Sequence, residues 1–312
     1  DKEITKLPKR SNILLDSEVS YFYYELMIKS GLKPNLQNDP CELIKCQKND
    51  TEIKNARKFH IWDGVSLAKF FHWLEKQNFS SDLNEINVSK KLEEIRKRNK
   101  NFFSSSFETI SACGKNGSII HYNPKQNNKK LESGELYLCD SGAQYIGATT
   151  DCTRTICLGN QKPKREFVSN YTRVLQGHIN LAMIKFPYGT KGHQIDSIAR
   201  YFLWQNGMDY SHGTGHGVGS FLGVHEGPQS ISKRINKFVL KKGMIVSNEP
   251  GYYKDNKYGI RIENLLLVKS SKYKGFLEFD DLTLFPYERN LIDIEMLSNR
   301  QIIWINEYHE KV

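Results

Sequence analysis

The chain has 312 residues, 38% hydrophobic and 12% aromatic, enough to bury a substantial core in one large domain or two smaller ones. Its net charge of +10 comes from Lys and Arg scattered along the chain, and the densest run, Lys90 to Lys100, carries interleaved acids and reads as a solvated helix face. That argues against a nucleic-acid binder, and no apolar run approaches the roughly 20 residues of a membrane span.

The chain begins at Asp1, as a fragment or processed product would. Residues 1–45 show little periodicity and read as a tail or linker from an upstream domain, leaving 46–312 as the main domain. At Asn49 the sequence NDTE places Glu52 three residues after a capping residue, a capping-box pattern. A helix follows to about Gln77, with Ile53, Ala56, Ile61, Val65, Ala68 and Phe71 among its apolar residues. The sequence predicts a second helix from about Ser89 to Asn101, then the turn signals GKNGS and a short strand, SIIHY. Two strands come next, LYLCDSGAQY and TTDCTRTICLG. Phe167, Tyr171, Val174, His178 and Leu181 recur at helical spacing and form one apolar face. His178 on that face is expected to be a bonded structural histidine. A further helix is predicted from about Gly192 to Asn206, with Gly207 just past its end and His193 as a surface or capping residue. The second half is strand-rich. The order helices, strands, helices, strands argues for an α+β domain compatible with two similar halves. The six cysteines lack C-x-x-C or zinc-knuckle spacing and fit reduced thiols in a cytoplasmic protein.

Two acid pairs carry the chemistry. A hairpin turning between Tyr145 and Ile146 sets Asp140 opposite Asp151. A second, turning at Asn256 within KDNKYG, sets Glu249 opposite Glu263. Directly opposed side chains have Cβ atoms about 4.5–5.5 Å apart, where two carboxylates repel. One such pair could be accidental or share a proton as an acid–base dyad. Two pairs beside several imidazoles are better explained by bound divalent cations. Four carboxylates with one or two imidazoles suit manganese, cobalt or zinc, and suit two ions better than one. Two metals can share a hydroxide and clamp a carbonyl, which points to hydrolysis.

The imidazoles lie in YSHGTGHGVGSFLGVHEGP, which holds His212, His216 and His225. Its glycines disfavour a helix. Neither HExxH nor a glycine-rich phosphate loop is present. The glycines fit a crowded site where the backbone passes close to metal and substrate.

These segments, DSGAQY…TTDCTRT, HGTGHGVGSFLGVHEGP and NEPGYY…YGIRIEN, resemble the metal-binding motifs of aminopeptidase P (Xaa-Pro aminopeptidase), of the pita-bread metallopeptidase fold. The resemblance runs from about Lys48 to the C-terminus, including IIHYNP around His121. The C-terminal segment resembles that of the long form, in which two further domains precede the catalytic one. The resemblance implies a pita-bread fold and a dinuclear site, usually manganese, with Asp140, Asp151, His216, Glu249 and Glu263 as ligands. His212, His225 and His121 match family histidines that line the substrate site. They would hold the scissile carbonyl oxygen, donate to the tetrahedral intermediate and shuttle a proton. Glu249 would accept the proton of the attacking hydroxide's parent water and pass it to the leaving nitrogen. Arg261 shares a strand face with Glu263 and would orient a carboxylate or contact substrate, with a structural ion pair left open. Tyr253 would bond near the metals or simply pack. One departure stands out: Gly147-Ala148 occupies the place where the family has Asp-Gly before TTD. The activity implied is hydrolysis of the first bond of peptides with proline second, in a cytoplasmic enzyme, with a homodimer expected at the level of the family. Prolidase or methionine-aminopeptidase activity, or a non-catalytic module on the same fold, are the alternatives.

Overall fold

The computed structural model describes residues 2–79 and 82–312. The chain divides into two units, the second running Cys46–Val312. The first unit, expected as a tail or linker, has secondary structure of its own. Strand β1 (Asn12–Asp16) pairs in parallel with β2 (Lys33–Gln37), α1 (Tyr21–Lys29) lies between them in sequence, and α2 (Pro40–Lys45) follows. Leu15, Met27 and Leu32 form its small core. Each element is shorter than the window of about 11–18 residues in which periodicity shows, so the sequence pattern is silent there.

The second unit opens with α3 (Asp50–Glu75), whose capping box between Asn49 and Glu52 is formed as predicted. Helix α4 (Glu85–Lys97) starts earlier than predicted, because Asn84 caps it by accepting from the Asn87 amide. Within the run read as solvated, Arg96 is buried and bound by two hydrogen bonds to Asp63 of α3, at 2.8 and 2.9 Å. Strands β3 (Phe102–Ser105) and β4 (Ile110–Cys113) follow. The segment predicted as the strand SIIHY is instead the end of a 3-10 turn, Gly114–Ser118, and an irregular loop.

Strands β5 (Leu136–Ser141), β6 (Ala143–Tyr145), β7 (Ala148–Thr149) and β8 (Cys152–Cys157) build the first acid-bearing hairpin, with a sheet of order β4-β5-β8. Its register differs from the expectation: Asp140 faces Thr153, not Asp151, and Tyr145 faces Ala148. The turn lies one residue later, at Ile146-Gly147, where Gly147 has φ +116°. A turn moved by one residue shifts every partner by two, which keeps each side chain on its original face. The two aspartates therefore still line one cavity.

Helix α5 (Arg165–Met183) buries Phe167, Tyr171, Val174, His178 and Leu181 as the periodicity predicts. His178 has the structural role expected of it. Its ring nitrogens lie 3.1 Å from the Asn248 carbonyl and 3.0 Å from the Tyr287 hydroxyl, and burial pushes its pKa down to about 3. After β9 (Lys185–Pro187), the predicted helix breaks into a 3-10 turn, Gly192–Gln194, and α6 (Asp196–Trp204). Gly207 beyond it has φ +67°. The ring Nδ1 of His193 accepts from the Asn236 amide.

The short strands β10 (Gly215–His216) and β11 (Ser230–Ile231) pair with each other. Strands β12 (Ile245–Asn248), β13 (Gly251–Lys254), β14 (Tyr258–Arg261), β15 (Asn264–Ser270) and β16 (Phe276–Asp281) follow. Here the predicted register holds: Gly251 faces Arg261, Asn248 faces Asn264, and Asn256 at the turn has φ +54°. Helix α7 (Asn299–Lys311), with a Ser298–Gln301 capping box, ends the chain. The whole is an α+β arrangement whose largest core cluster, including Tyr171, Val174, Leu203, Ile260 and Tyr308, joins α5, α6, β14 and α7.

The Arg96–Asp63 pair is nearly inaccessible on both sides. Replacing Asp63 with Ala leaves a buried cation without its partner, so unfolding in urea should show a loss of about 3–5 kcal/mol. A loss below about 1 kcal/mol, the scale of exposed ion pairs, would contradict this.

Candidate metal centre

Three pieces of backbone bring the acids and the imidazole together. The first is the corner between β5 and β8, which carries Asp140 and Asp151. The buried Arg96–Asp63 pair braces it. Arg96 Nη1 donates to the Gly142 carbonyl at 3.3 Å, Thr150 Oγ1 donates to Asp63 at 3.0 Å, and Tyr145 donates to Asp63 at 2.9 Å. The Ala143 amide in turn donates to Thr150 Oγ1 at 3.0 Å.

The second piece is the histidine segment. Its glycines are required by neighbouring backbone: a Cβ on Gly215 would sit 2.0 Å from the Ser247 carbonyl, and one on Gly217 would sit 2.1 Å from that of Glu226. The crowding expected around metal and substrate is thus mainly crowding of chain against chain. The close approach lets the His216 amide donate to Ser247 Oγ at 2.9 Å. His216 Nδ1 lies 2.9 Å from the Gly217 carbonyl and donates to it, which leaves Nε2 as the free lone pair. That Nε2 stands 3.3 Å from Glu249 and 3.6 Å from Asp151.

The third piece is the gap between the β12–β15 and β13–β14 ladders, where Glu249 and Glu263 lie. The Glu249 amide donates to the Thr214 carbonyl at 2.8 Å and the Glu263 amide to the Thr153 carbonyl at 3.1 Å. Hydroxyls orient both acids: Ser247 donates to Glu249 at 3.0 Å and Thr153 to Glu263 at 2.7 Å.

These groups line a cavity of about 430 Å³ together with His121, His212, His225 and Arg261. Burial, and then the charge of Asp140 or Asp151 beside them, pushes the pKa values of Asp151 and Glu263 well above the carboxylate range. Burial raises that of Glu249 to about 7, with Arg261 opposing. Asp140 Oδ1, Asp151 Oδ1 and Glu263 Oε1 are buried without a hydrogen-bond partner among the described residues. Ligand atoms of Asp151, His216 and Glu263 all lie within 4.8 Å of one another. Oxygen-rich, repelling and unsatisfied, the set fits divalent cations, whose charge would replace the missing partners.

Arg261 acts on the acids. It donates to Asp140 at 2.6 Å through Nη2, to Tyr253 at 2.7 Å through Nη1, and to Thr153 at 3.4 Å through Nε. Burial raises the Tyr253 pKa to about 12, so it stays a phenol, and its hydroxyl lies 2.9 Å from His212 Nε2. His212 Nδ1 donates to the Gly213 carbonyl at 2.7 Å, so Nε2 accepts from Tyr253. Burial, with Arg261 nearby, lowers the His212 pKa to about 3. Both His212 nitrogens are therefore engaged, and its ring lines the cavity beside Tyr253. His225 and His121 differ. Both are exposed on the cavity wall with no side-chain hydrogen bond among the described residues, and the His225 ring meets that of His216 edge-on at 4.2 Å. Sequence reasoning missed Asp63, Arg96, Thr153 and Ser247. For Thr153 and Ser247 the available signal was the alternation of Ser and Thr with the acids in TTDCTRT and VSNEP; Asp63 and Arg96 had none.

Residues 54–270 match the model of metallopeptidase family M24, and residues 275–312 match the C-terminal region of peptidase M24. The chain is 44% identical over 310 residues to Xaa-Pro aminopeptidase 1 of Dictyostelium discoideum, covering 96% of this chain and 49% of that protein. Among solved structures it is similar to an X-prolyl aminopeptidase from Caenorhabditis elegans, described as a cytosolic enzyme with a di-nuclear active site. There the TM-score is 0.88 at 37% identity, over 99% of this chain and 51% of the other. A prolidase from Pyrococcus furiosus gives a TM-score of 0.77 at 26% identity, over 90% of this chain and 78% of the other. The chain spans about half the length of the curated relatives it matches.

The crowded charges make a stability prediction. Replacing Glu249 with Gln removes one repelling carboxylate, so at pH 8 in excess chelator the variant should melt above the wild type. A lower melting temperature would show that the carboxylates do not strain the metal-free fold.

Proposed function

We propose that this chain, which belongs to metallopeptidase family M24, removes the N-terminal residue from peptides whose second residue is proline. The observation that carries this reading is the convergence of Asp140, Asp151, His216, Glu249 and Glu263 on one buried cavity. Relatives named Xaa-Pro aminopeptidase support the substrate class. The five side chains would hold two divalent ions, with manganese the first choice and cobalt or zinc suited to the same donors. When bound, such ions polarise the scissile carbonyl and lower the pKa of water towards neutrality.

The chain's own residues do the rest. Glu249 takes up the proton of the attacking water at a carboxylate oxygen and delivers it to the leaving proline nitrogen. His225 and His121 donate to the carbonyl oxygen as charge develops on it. Phe107, Ile110, Ile120 and Val224 line the same cavity and offer an apolar wall for a ring without polar groups. Arg261 fixes Asp140, and Tyr253 with His212 fixes Arg261.

A cytoplasmic setting is part of the proposal. It rests on the description of the C. elegans structure as cytosolic. A homodimer is proposed from the family resemblance alone, and the absence of nucleic-acid or membrane partners from charge and hydropathy patterning alone. The similarity to a prolidase keeps dipeptide hydrolysis as the second reading.

After chelation and reloading with manganese, cobalt or zinc, the protein should release arginine from Arg-Pro-Pro and not from Arg-Ala-Ala. Cleavage confined to Ala-Pro would favour prolidase, and equal cleavage of Arg-Ala-Ala would sink the proline requirement. Replacing Glu249 with Gln should lower kcat by roughly 10²–10⁴-fold. Near-normal kcat with metals still bound would remove Glu249 from the proton path.

A further inference from the structure

We infer that Glu85, outside the cavity, is a positioning residue for His121 and acts through Tyr122. The inference deepens the functional reading above, since it takes His121 as a substrate-contacting group.

Glu85 opens α4 and is fully buried. It makes no salt bridge among the described residues. A buried carboxylate in that position needs hydrogen-bond donors. It accepts from the Cys113 amide at 2.6 Å, the Lys129 amide at 2.8 Å, the Asn116 carboxamide at 3.1 Å and the Tyr122 hydroxyl at 2.6 Å. These donors lie at both ends and in the middle of one segment, 113–129. A single carboxylate therefore closes that segment into a loop and pins its centre.

The same loop is held from the other side. A Cβ on Gly259 of β14 would sit 1.8 Å from the Gly117 carbonyl, so the loop lies directly on the strand that carries Arg261. The Asn116 carboxamide nitrogen also lies 3.0 Å from the Asn127 carbonyl and 2.7 Å from the Tyr122 hydroxyl, and the Tyr122 hydroxyl contacts that same carbonyl. Ile120 and His121 project from this loop into the cavity wall. His121 has no side-chain hydrogen bond of its own among the described residues, and its neighbour Tyr122 is buried at 4% exposure. The anchored phenol is thus what places the imidazole.

The test is a double-mutant cycle on the manganese-loaded protein with Arg-Pro-Pro, using Tyr122→Phe, His121→Ala and the pair. Tyr122→Phe should lower kcat/KM by roughly 10–100-fold, the scale of a small misplacement near the reacting atoms. Its bound manganese should be unchanged, since no proposed ligand is touched. In the His121→Ala background the same change should alter kcat/KM by less than about twofold. Equal losses in both backgrounds would overturn the inference, as would a wild-type value for Tyr122→Phe beside an impaired His121→Ala. Glu85→Gln keeps the volume and one acceptor oxygen and should show the same masking, which serves where Tyr122→Phe folds poorly. Independently of turnover, in the metal-free protein, where no paramagnetic ion broadens the signal, the His121 ring ε1 proton resonance should shift in Tyr122→Phe and in Glu85→Gln. An unmoved resonance would overturn the inference even in an active enzyme. A shifted resonance in a protein that cleaves no Xaa-Pro peptide would refute the functional reading and leave the positioning role standing.

Discussion

Four carboxylates share one buried cavity with a single arginine, and their mutual repulsion is the constraint around which the second unit is organised. At Asp151 and Glu263 burial favours the protonated acid, and the neighbouring acids add to the penalty. No strand order removes the problem, because both hairpins deliver acids to the same place. The fold answers with rigid supports. Arg261 neutralises part of the charge at Asp140, and hydroxyls of Ser247 and Thr153 each satisfy one oxygen of a glutamate. The buried oxygens still without partners are where cations would complete the arrangement.

The supports reach well beyond the cavity. Asp196 and Arg200 of α6 hold the histidine segment: Arg200 donates to the His212 carbonyl at 2.8 Å, and Thr214 donates to Asp196 at 2.5 Å. Arg154 is buried and is satisfied mainly by carbonyl oxygens. It donates to the Glu263 carbonyl at 2.6 Å, the Phe285 carbonyl at 2.5 Å and the Tyr308 hydroxyl at 3.3 Å. Its guanidinium also lies 4.7 Å from the Tyr287 ring centre. Through this one side chain, the C-terminal segment with α7 is tied to the backbone of Glu263, one of the cavity acids. The match of that segment to its own family model has a physical counterpart here.

Much of this was legible in the sequence, and the failures have specific causes. The helices α3 and α5 were readable because each is long enough to repeat its apolar face several times. The Glu249–Glu263 register was readable because KDNKYG marks its turn symmetrically. The Asp140–Asp151 register was missed because a turn misplaced by one residue moves every partner by two, yet the acids kept their common face. Arg96 looked like its solvated neighbours, since nothing local announces a partner on another helix. SIIHY has the composition of a strand, but Glu85 draws the preceding residues into a tight turn. The hydrogen bonds of His212 were hidden for another reason. A motif shows that an imidazole is present, not whether its nitrogens are free.

The buried acids make a candidate cation site, where bound ions would relieve their mutual repulsion. Equilibrium dialysis of the folded, metal-stripped chain against manganese, with bound metal counted by atomic emission, tests it most directly. Saturation at about two ions per chain is expected, with binding lost when Asp151 and Glu263 are both replaced by their amides. A folded wild-type chain that takes up no manganese, cobalt or zinc at millimolar concentration would contradict it.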